Sequence, residues 1–381
     1  MDSKMSYTPA KKTELITAYE PVKGAYRIRM DANESFLLPT EEDRHAMAEA
    51  AAGVKFNRYP DPLATELCAD FAALYGISPK YVTAGNGSDE LISVIMSAFV
   101  QKGEKVITLS PDFSMYKFYS AITETPCITI QKNQDMTVDV DVIIKTVKER
   151  NAKLVIFSNP CNPTSLGLEA DEVRRLVKGT DALVVLDEAY MDFWDQSMIN
   201  EAHLYDNLIV LRTCSKALGL AALRLGFAIA NERLTDILRS AKSPYNVNAV
   251  TQEMARIVLK NNMYRTVYGE ILQTSVNMLL SGLIRLEKKG MIKRVYQSRT
   301  NFVFIKTDDA TGVFEWLCDK GIAVRLIGTE YLRITAGKQY ENKELLSAIE
   351  AYFIMKGGNI NETGHMCSQN KGDKHNCRDM S

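Results

Sequence analysis

From about Tyr81 onward, short apolar, β-branched runs alternate with longer stretches whose apolar residues recur at helical spacing. Residues 105–110 (KVITLS), 128–130, 154–158 (LVIFS), 182–186, 208–212 and 227–230 read as strands, and 111–122, 140–149 and 169–177 read as helices between them. These strand runs lack polar alternation, which is what burial on both faces requires. Strand–helix alternation of this kind predicts an α/β fold: a large domain with a mainly parallel sheet flanked by helices. The rhythm changes after Ser243-Pro244-Tyr245-Asn246, where two long helical stretches, 248–259 and 264–289, follow. Alternation then returns, with strands at 302–306, 323–327 and 331–335 and a helix at 313–320, which predicts a smaller α/β C-terminal domain. The expected division is an arm over 1–55 that contributes to the small domain, a large domain over 56–245, a small domain over 246–356, and a tail over 357–381. That tail is too polar to offset its ordering entropy and is expected to be disordered.

Composition narrows the function classes. The chain has 381 residues, 46% hydrophobic and 24% charged, with 46 Lys and Arg against 47 Asp and Glu. A net charge of −1 argues against a nucleic-acid binder, which shows a basic excess. No apolar run is long enough to cross a membrane, and the first residues lack the apolar stretch of a signal peptide, so a cytoplasmic protein is expected. Seven cysteines, an odd number widely scattered, read as free thiols. The histidines His45, His203, His365 and His375 sit in no motif, which leaves a Ser-His-Asp triad without support. In the tail, His365 and Cys367, with His375 and Cys377, offer metal-ligand types but no CxxC spacing, so no metal site is expected.

Four motifs follow four strand runs. Thr213-Cys214-Ser215-Lys216 comes directly after 208–212, with Arg224 eight residues beyond the lysine. A lysine at the end of a buried strand is poised as a nucleophile for imine formation, because desolvation disfavours its charged form. The alternative is a lysine reaching to solvent beside a turn. Two hydroxyls and a guanidinium suit a small phosphate. Leu186-Asp187-Glu188-Ala189-Tyr190 ends another apolar run; an aspartate there faces the crevice where open α/β sheets bind ligands, or else caps a helix. Gly85-Asn86-Gly87-Ser88-Asp89-Glu90 precedes a helical stretch whose first N–H groups are open to a phosphate, though taken alone the motif reads better as a capped helix turn. Ser158-Asn159-Pro160-Cys161-Asn162-Pro163-Thr164 is a proline-fixed turn with two amide side chains.

Together GNGSDE, SNPCNPT, LDEAY and TCSKALGLAALRLG resemble a fold type I pyridoxal-phosphate aminotransferase. With DANES (31–35), RYPDP (58–62), SPYNVN (243–248) and YLRITAG (331–337), the chain is similar over about 28–355 to the histidinol-phosphate aminotransferase family. The resemblance implies pyridoxal 5′-phosphate as cofactor. Lys216 would hold it and move the proton between the substrate Cα and the cofactor, Asp187 would meet the ring nitrogen, and Asn162 and Tyr190 would bond the phenolic oxygen. Phe113 would stack on the ring, where the family has tyrosine. Ser88, Asp89, Thr213, Ser215 and Arg224 would form the phosphate cup, and Tyr59 would reach a neighbouring subunit's phosphate, which implies a homodimer. Arg333 would clamp the substrate α-carboxylate, with Asn33, Tyr245 and Arg325 at or near the substrate. The sequence departs from the family pattern at Cys161 (asparagine), Ser165 (glycine) and Ala222 (glycine).

The implied reaction moves an amino group between L-glutamate/2-oxoglutarate and a phosphorylated amino alcohol, histidinol phosphate, in histidine biosynthesis. A threonine-phosphate decarboxylase and a broader aromatic or aspartate aminotransferase share these motifs. A cofactor-binding sensor domain would need a DNA-binding partner, and the residues before the matching region leave no room for one.

Overall fold

The apolar runs form the strands that the pattern requires, and the computed structural model describes them within residues 7–16 and 22–363. In chain order the strands are β1 (Ile28–Arg29), β2 (Val82–Gly85), β3 (Lys105–Ser110), β4 (Cys127–Gln131), β5 (Ala152–Ser158), β6 (Leu183–Asp187), β7 (Leu208–Thr213), β8 (Gly226–Ile229), β9 (Arg294–Val295), β10 (Phe302–Lys306), β11 (Ile322–Ala323), β12 (Arg325–Ile327) and β13 (Tyr331–Thr335). The α-helices are α1 (Glu41–Ala52), α2 (Thr65–Tyr75), α3 (Gly87–Phe99), α4 (Met115–Ile122), α5 (Val140–Arg150), α6 (Ala170–Lys178), α7 (Glu232–Ala241), α8 (Ala249–Lys260), α9 (Val267–Lys288), α10 (Ala310–Asp319) and α11 (Gln339–Thr363).

The large sheet has seven strands in the order β2-β8-β7-β6-β5-β3-β4. β4, β3, β5, β6 and β7 run parallel, while β8 is antiparallel to both β7 and β2. β8 alone is therefore reversed, and its first residue, Gly226, lies in register with Thr213 and Gly85. The carboxyl ends of β2, β3, β5, β6 and β7 and the start of β8 share one sheet edge. Successive residues of a strand point to opposite faces, and both faces are covered. Leu208 and Val210 join one apolar core while Ile209 and Leu211 join the other. This explains why β7 carries no polar alternation.

A second, smaller sheet, β12-β13-β10-β9, packs with α9, α10 and α11 around its own core. β1 and β11 form a separate parallel pair, Ile28 opposite Ile322, and Ile28 and Met30 are buried in that same core. The elements differ from the pattern-based reading in places. Residues 111–114 form a turn, and α4 begins only at Met115. The single strand expected over 323–327 is two, because 322–323 pair with β1 and 325–327 pair with β13. Helix α1 was hidden in its own composition: it buries only Met47, so it shows no apolar stripe. Helix α11 runs to Thr363, past residue 356, where order was expected to end. The remainder of the tail, 364–381, with His365, Cys367, His375 and Cys377, lies outside the described residues. Among the described residues no helix is long and apolar enough to cross a membrane, and no cluster of His, Cys, Asp or Glu could hold a metal ion.

Candidate active site

The crevice at the shared sheet edge is built from strand ends. β6 closes on Asp187, which is buried at 3% exposure. Its Oδ2 accepts from the Tyr116 hydroxyl at 2.9 Å and its Oδ1 from the Ala189 N–H at 3.1 Å. Burial nevertheless pushes its carboxyl up from 3.8 to about 7. The next residue, Glu188, belongs to an ion network behind the crevice. The Arg212 guanidinium donates to Glu188 at 3.1 Å and to Asp192 at 2.5 Å, and stacks 4.8 Å from the Tyr75 ring centre. Glu188 also accepts from Ser197 Oγ and from the Met198 N–H. Arg212 and Glu188 adjoin Thr213 and Asp187 in sequence, so the network fixes how the ends of β6 and β7 lie against each other. Replacing Arg212 by Met leaves the buried Glu188 without a cation and Asp192 with only Arg265 at 4.0 Å. We expect a loss of about 3 kcal/mol, read as a lower urea midpoint.

Past β7 the chain turns through Ser215, whose N–H donates to Thr213 Oγ1 at 3.2 Å; that hydroxyl in turn donates to Ser215 Oγ at 3.1 Å. The start of α3 faces this turn. A Cβ on Gly226 would stand 2.6 Å from Gly87 C and Ser88 N, so only glycine lets β8 approach the α3 amides this closely. Gly87 itself has φ +76°, with the Arg224 guanidinium directly over it. Arg224, also left-handed at φ +50°, lies 3.7 Å from Asp89 Oδ2, while Asp89 Oδ1 is buried with no hydrogen-bond partner. The start of α3 at Gly87 and Ser88, the Thr213–Ser215 turn and the Arg224 guanidinium thus lie side by side around Gly226. First-turn amides beside a cation are a setting for an anion, and Asp89 pairs with that cation.

Lys216 sits beside this cup. Its Nζ donates to Ala32 O at 3.1 Å and lies 5.8 Å from the centre of the Tyr190 ring. Desolvation, with Arg333 and Arg224 nearby, lowers its ammonium from 10.5 to about 8. The Tyr190 hydroxyl accepts from Asn33 Nδ2 at 2.9 Å, and burial pushes that phenol up to about 12. Asn33, at φ +54°, is held by Thr335 and Asn301 of the smaller sheet. From β13, the buried Arg333 donates to Asn162 Oδ1 at 2.6 Å and to Asp31 O. Arg325 stands opposite Arg333 in the β12–β13 register. Lys216, Tyr190, Asn33, Asn162 and Arg333 are thereby joined around one space.

Phe113 projects from the turn before α4, edge-on to Tyr116 at 5.6 Å. Its N–H donates to Asp112 Oδ1 at 2.7 Å, and Asp112 also accepts from Ser158 Oγ. Two departures from the family pattern have partners here. Cys161 Sγ accepts from Lys132 Nζ at 2.8 Å. Ser165, at φ +64°, is fully buried and bonds Thr300 Oγ1 at 2.7 Å, Ser298 Oγ and the Arg299 N–H. Its hydroxyl bonds offset the strain of a left-handed serine. Tyr59 and Tyr245 stand apart from these groups: their rings stack on each other at 4.6 Å, with 81% and 40% exposure. Sequence reasoning missed Tyr116, Asp112, Lys132 and the Arg212 network. Of these only Tyr116 left a trace, as an aromatic three residues beyond Phe113.

Known proteins match this arrangement. The family model for aminotransferase class I and II matches residues 27–349. A histidinol-phosphate aminotransferase of Clostridium novyi (strain NT) is 38% identical over 337 residues, 87% of this chain and 93% of that protein. A histidinol-phosphate aminotransferase of Thermoanaerobacter sp. (strain X514) is 38% identical over 345 residues, 88% of this chain and 96% of that protein. The crystal structure of histidinol-phosphate aminotransferase from Sinorhizobium meliloti in complex with pyridoxal-5′-phosphate superposes with a TM-score of 0.82 at 23% identity, covering 92% of this chain and 98% of that one.

Proposed function

Since this chain belongs to the class I and II aminotransferases, we propose that it is a pyridoxal-phosphate enzyme that transfers an amino group between L-glutamate/2-oxoglutarate and histidinol phosphate or its oxo form. The observation that carries this is the convergence of Lys216, Asp187 and the Arg224 anion cup at one sheet edge. The substrate class follows from relatives of that name at 38% identity over most of both chains.

The residues fit the cofactor. Its phosphate suits the cup where Gly226 clears the approach to the α3 amides and the Arg224 guanidinium stands over Gly87. Its ring nitrogen suits a buried carboxylate, and its aldehyde suits a desolvated amine. When bound, pyridoxal phosphate supplies an electron sink for the pair left at the substrate Cα as a proton departs.

The chain's own groups do the rest. Lys216 Nζ takes the proton from the substrate Cα and returns it; a lysine titrating near 8 is a competent base close to neutral pH. Asp187 would hold a proton at the ring nitrogen of the bound cofactor and would itself stay ionised beside that charge. Tyr190 and the Asn162 amide would hold the phenolic oxygen of the bound cofactor, and Phe113 would stack on its ring. Asn33 and Tyr190 brace each other beside Lys216. Arg333 receives the glutamate carboxylate and, with Tyr245 and Arg325, the phosphate of the other substrate. The exposed Tyr59 reaches the phosphate site of a second copy in a homodimer.

Arg333→Lys keeps the charge but loses the bidentate fork, so kcat/KM is expected to fall more than tenfold for both half-reactions, about 1.4 kcal/mol of transition-state binding. The reaction itself is tested with histidinol phosphate plus 2-oxoglutarate, and separately with threonine phosphate alone. Glutamate formed from the first pair supports the proposal. Carbon dioxide released from threonine phosphate, with no glutamate from the first pair, would sink it.

A further inference from the structure

Tyr116 is wholly buried, yet it carries a polar hydroxyl that no substrate can reach. A buried hydroxyl needs a partner, and this one donates to Asp187 Oδ2 at 2.9 Å. The rest of the side chain is equally committed. Its ring meets Phe113 edge-on at 5.6 Å and 82°, and its N–H donates to Phe113 O at 3.3 Å. One residue on the first turn of α4 therefore touches both the carboxylate at the end of β6 and the aromatic ring that precedes the helix.

We infer that Tyr116 is a positioning residue that fixes the orientation and charge state in which Asp187 meets the cofactor's ring nitrogen. This rests on the pyridoxal-phosphate reading above. Asp187 Oδ1 is held by the Ala189 N–H and Oδ2 by Tyr116, so the carboxylate cannot rotate without losing a bond. Tyr116 is suited to the task because it stays a donor: burial, with Asp187 and Asp112 beside it, pushes its own ionisation well above 10. The charged and titratable groups around the pair act in opposite directions. Burial together with Asp112 and Asp89 favours a protonated Asp187, and the Tyr116 hydroxyl and Ala189 N–H favour the carboxylate. Asp112 is itself faced by Lys132, and Cys161 and Tyr190 complete the surroundings. Without the hydroxyl, the acid keeps its proton to higher pH. A neutral acid cannot pair with a protonated ring nitrogen.

The test is Tyr116→Phe, measured as the dissociation constant of pyridoxal phosphate from pH 6 to 9 by fluorescence, alongside Asp187→Asn and the double variant. A rise of about one unit in the acid's ionisation weakens cofactor binding roughly five- to tenfold at pH 6.5, and the difference fades by pH 9. In the Asp187→Asn background, Tyr116→Phe is expected to change affinity less than twofold, because its effect runs through the charge. A pH-independent loss, or an equal loss in that background, would mark Tyr116 as packing only and overturn the inference. An unchanged profile would overturn it too. Failure of the unsubstituted protein to bind the cofactor at all would instead strike the aminotransferase reading.

Discussion

Replacing Lys216 by alanine is expected to lower transamination by about 10⁴-fold, with folding intact. That factor is the upper end of what a positioned acid–base group contributes, and Lys216 also provides the covalent hold on the cofactor. Arginine at the same position gives no rescue, because a guanidinium does not deprotonate near neutral pH. Structure survives because the lysine head makes a hydrogen bond to Ala32 O but lies among Arg333 and Arg224, which oppose its charge. Its folded value of about 8 lies below its ordinary 10.5, so the folded state binds fewer protons between these values and stability rises with pH there. The alanine variant, free of that cost, should melt no lower than the parent at pH 7. The checks are single-turnover absorbance and borohydride trapping followed by peptide mass spectrometry. A reduced adduct on any other lysine of the parent would refute the assignment.

Asp187→Asn is expected to separate activity from stability. Activity should fall about 10³-fold, some 4 kcal/mol of barrier, because a neutral amide cannot hold the ring proton. The cofactor-free variant should become more stable than the parent at pH 8. Asp187 titrates near 7 when folded but near 3.8 when unfolded, so the parent loses stability as pH rises from 3.8 to 7. The asparagine variant lacks this slope. Its advantage, on the order of 4 kcal/mol at pH 8, closes as pH falls below 4. Urea midpoints at pH 4, 6 and 8 would show it; parallel curves for the two proteins would disprove the buried, strained acid.

How much of this could be read from the chain depends on whether the signal is local. β5, β6 and β7 are buried on both faces, and unbroken runs such as LVVL and LIVLR leave few alternatives. Lys216 and Asp187 were legible because each follows such a run within a few residues, and Arg224 because it stands eight residues beyond Lys216. Tyr116 was not legible as a partner of Asp187, because the two are 71 residues apart and joined only by α4 folding over the end of β6. Cys161 was visible as a substitution, while Lys132, its partner 29 residues upstream, was visible only as a lysine after a strand. The split of 322–327 between two sheets lay beyond any one-dimensional pattern, since AVRLI is uniformly strand-like and only β1 decides where its first part goes.

That parallel pair between Ile28–Arg29 and Ile322–Ala323 also sets an order of events during synthesis. Residues 28–33 leave the ribosome about 290 residues before their partners, roughly 15–60 s at 5–20 residues per second. The strands of the large sheet are complete by Ile229 and can pair while the remainder is still being made. Ile28 and Met30 cannot bury until α9, α10 and β13 exist. Ala32 O and Asn33, which reach Lys216 and Tyr190, are fixed only when Thr335 and Asn301 arrive. A nascent chain stalled before residue 335 is therefore expected to hold the sheet edge with Lys216 and Asp187 but no brace over them, and the crevice closes only once residue 335 has emerged.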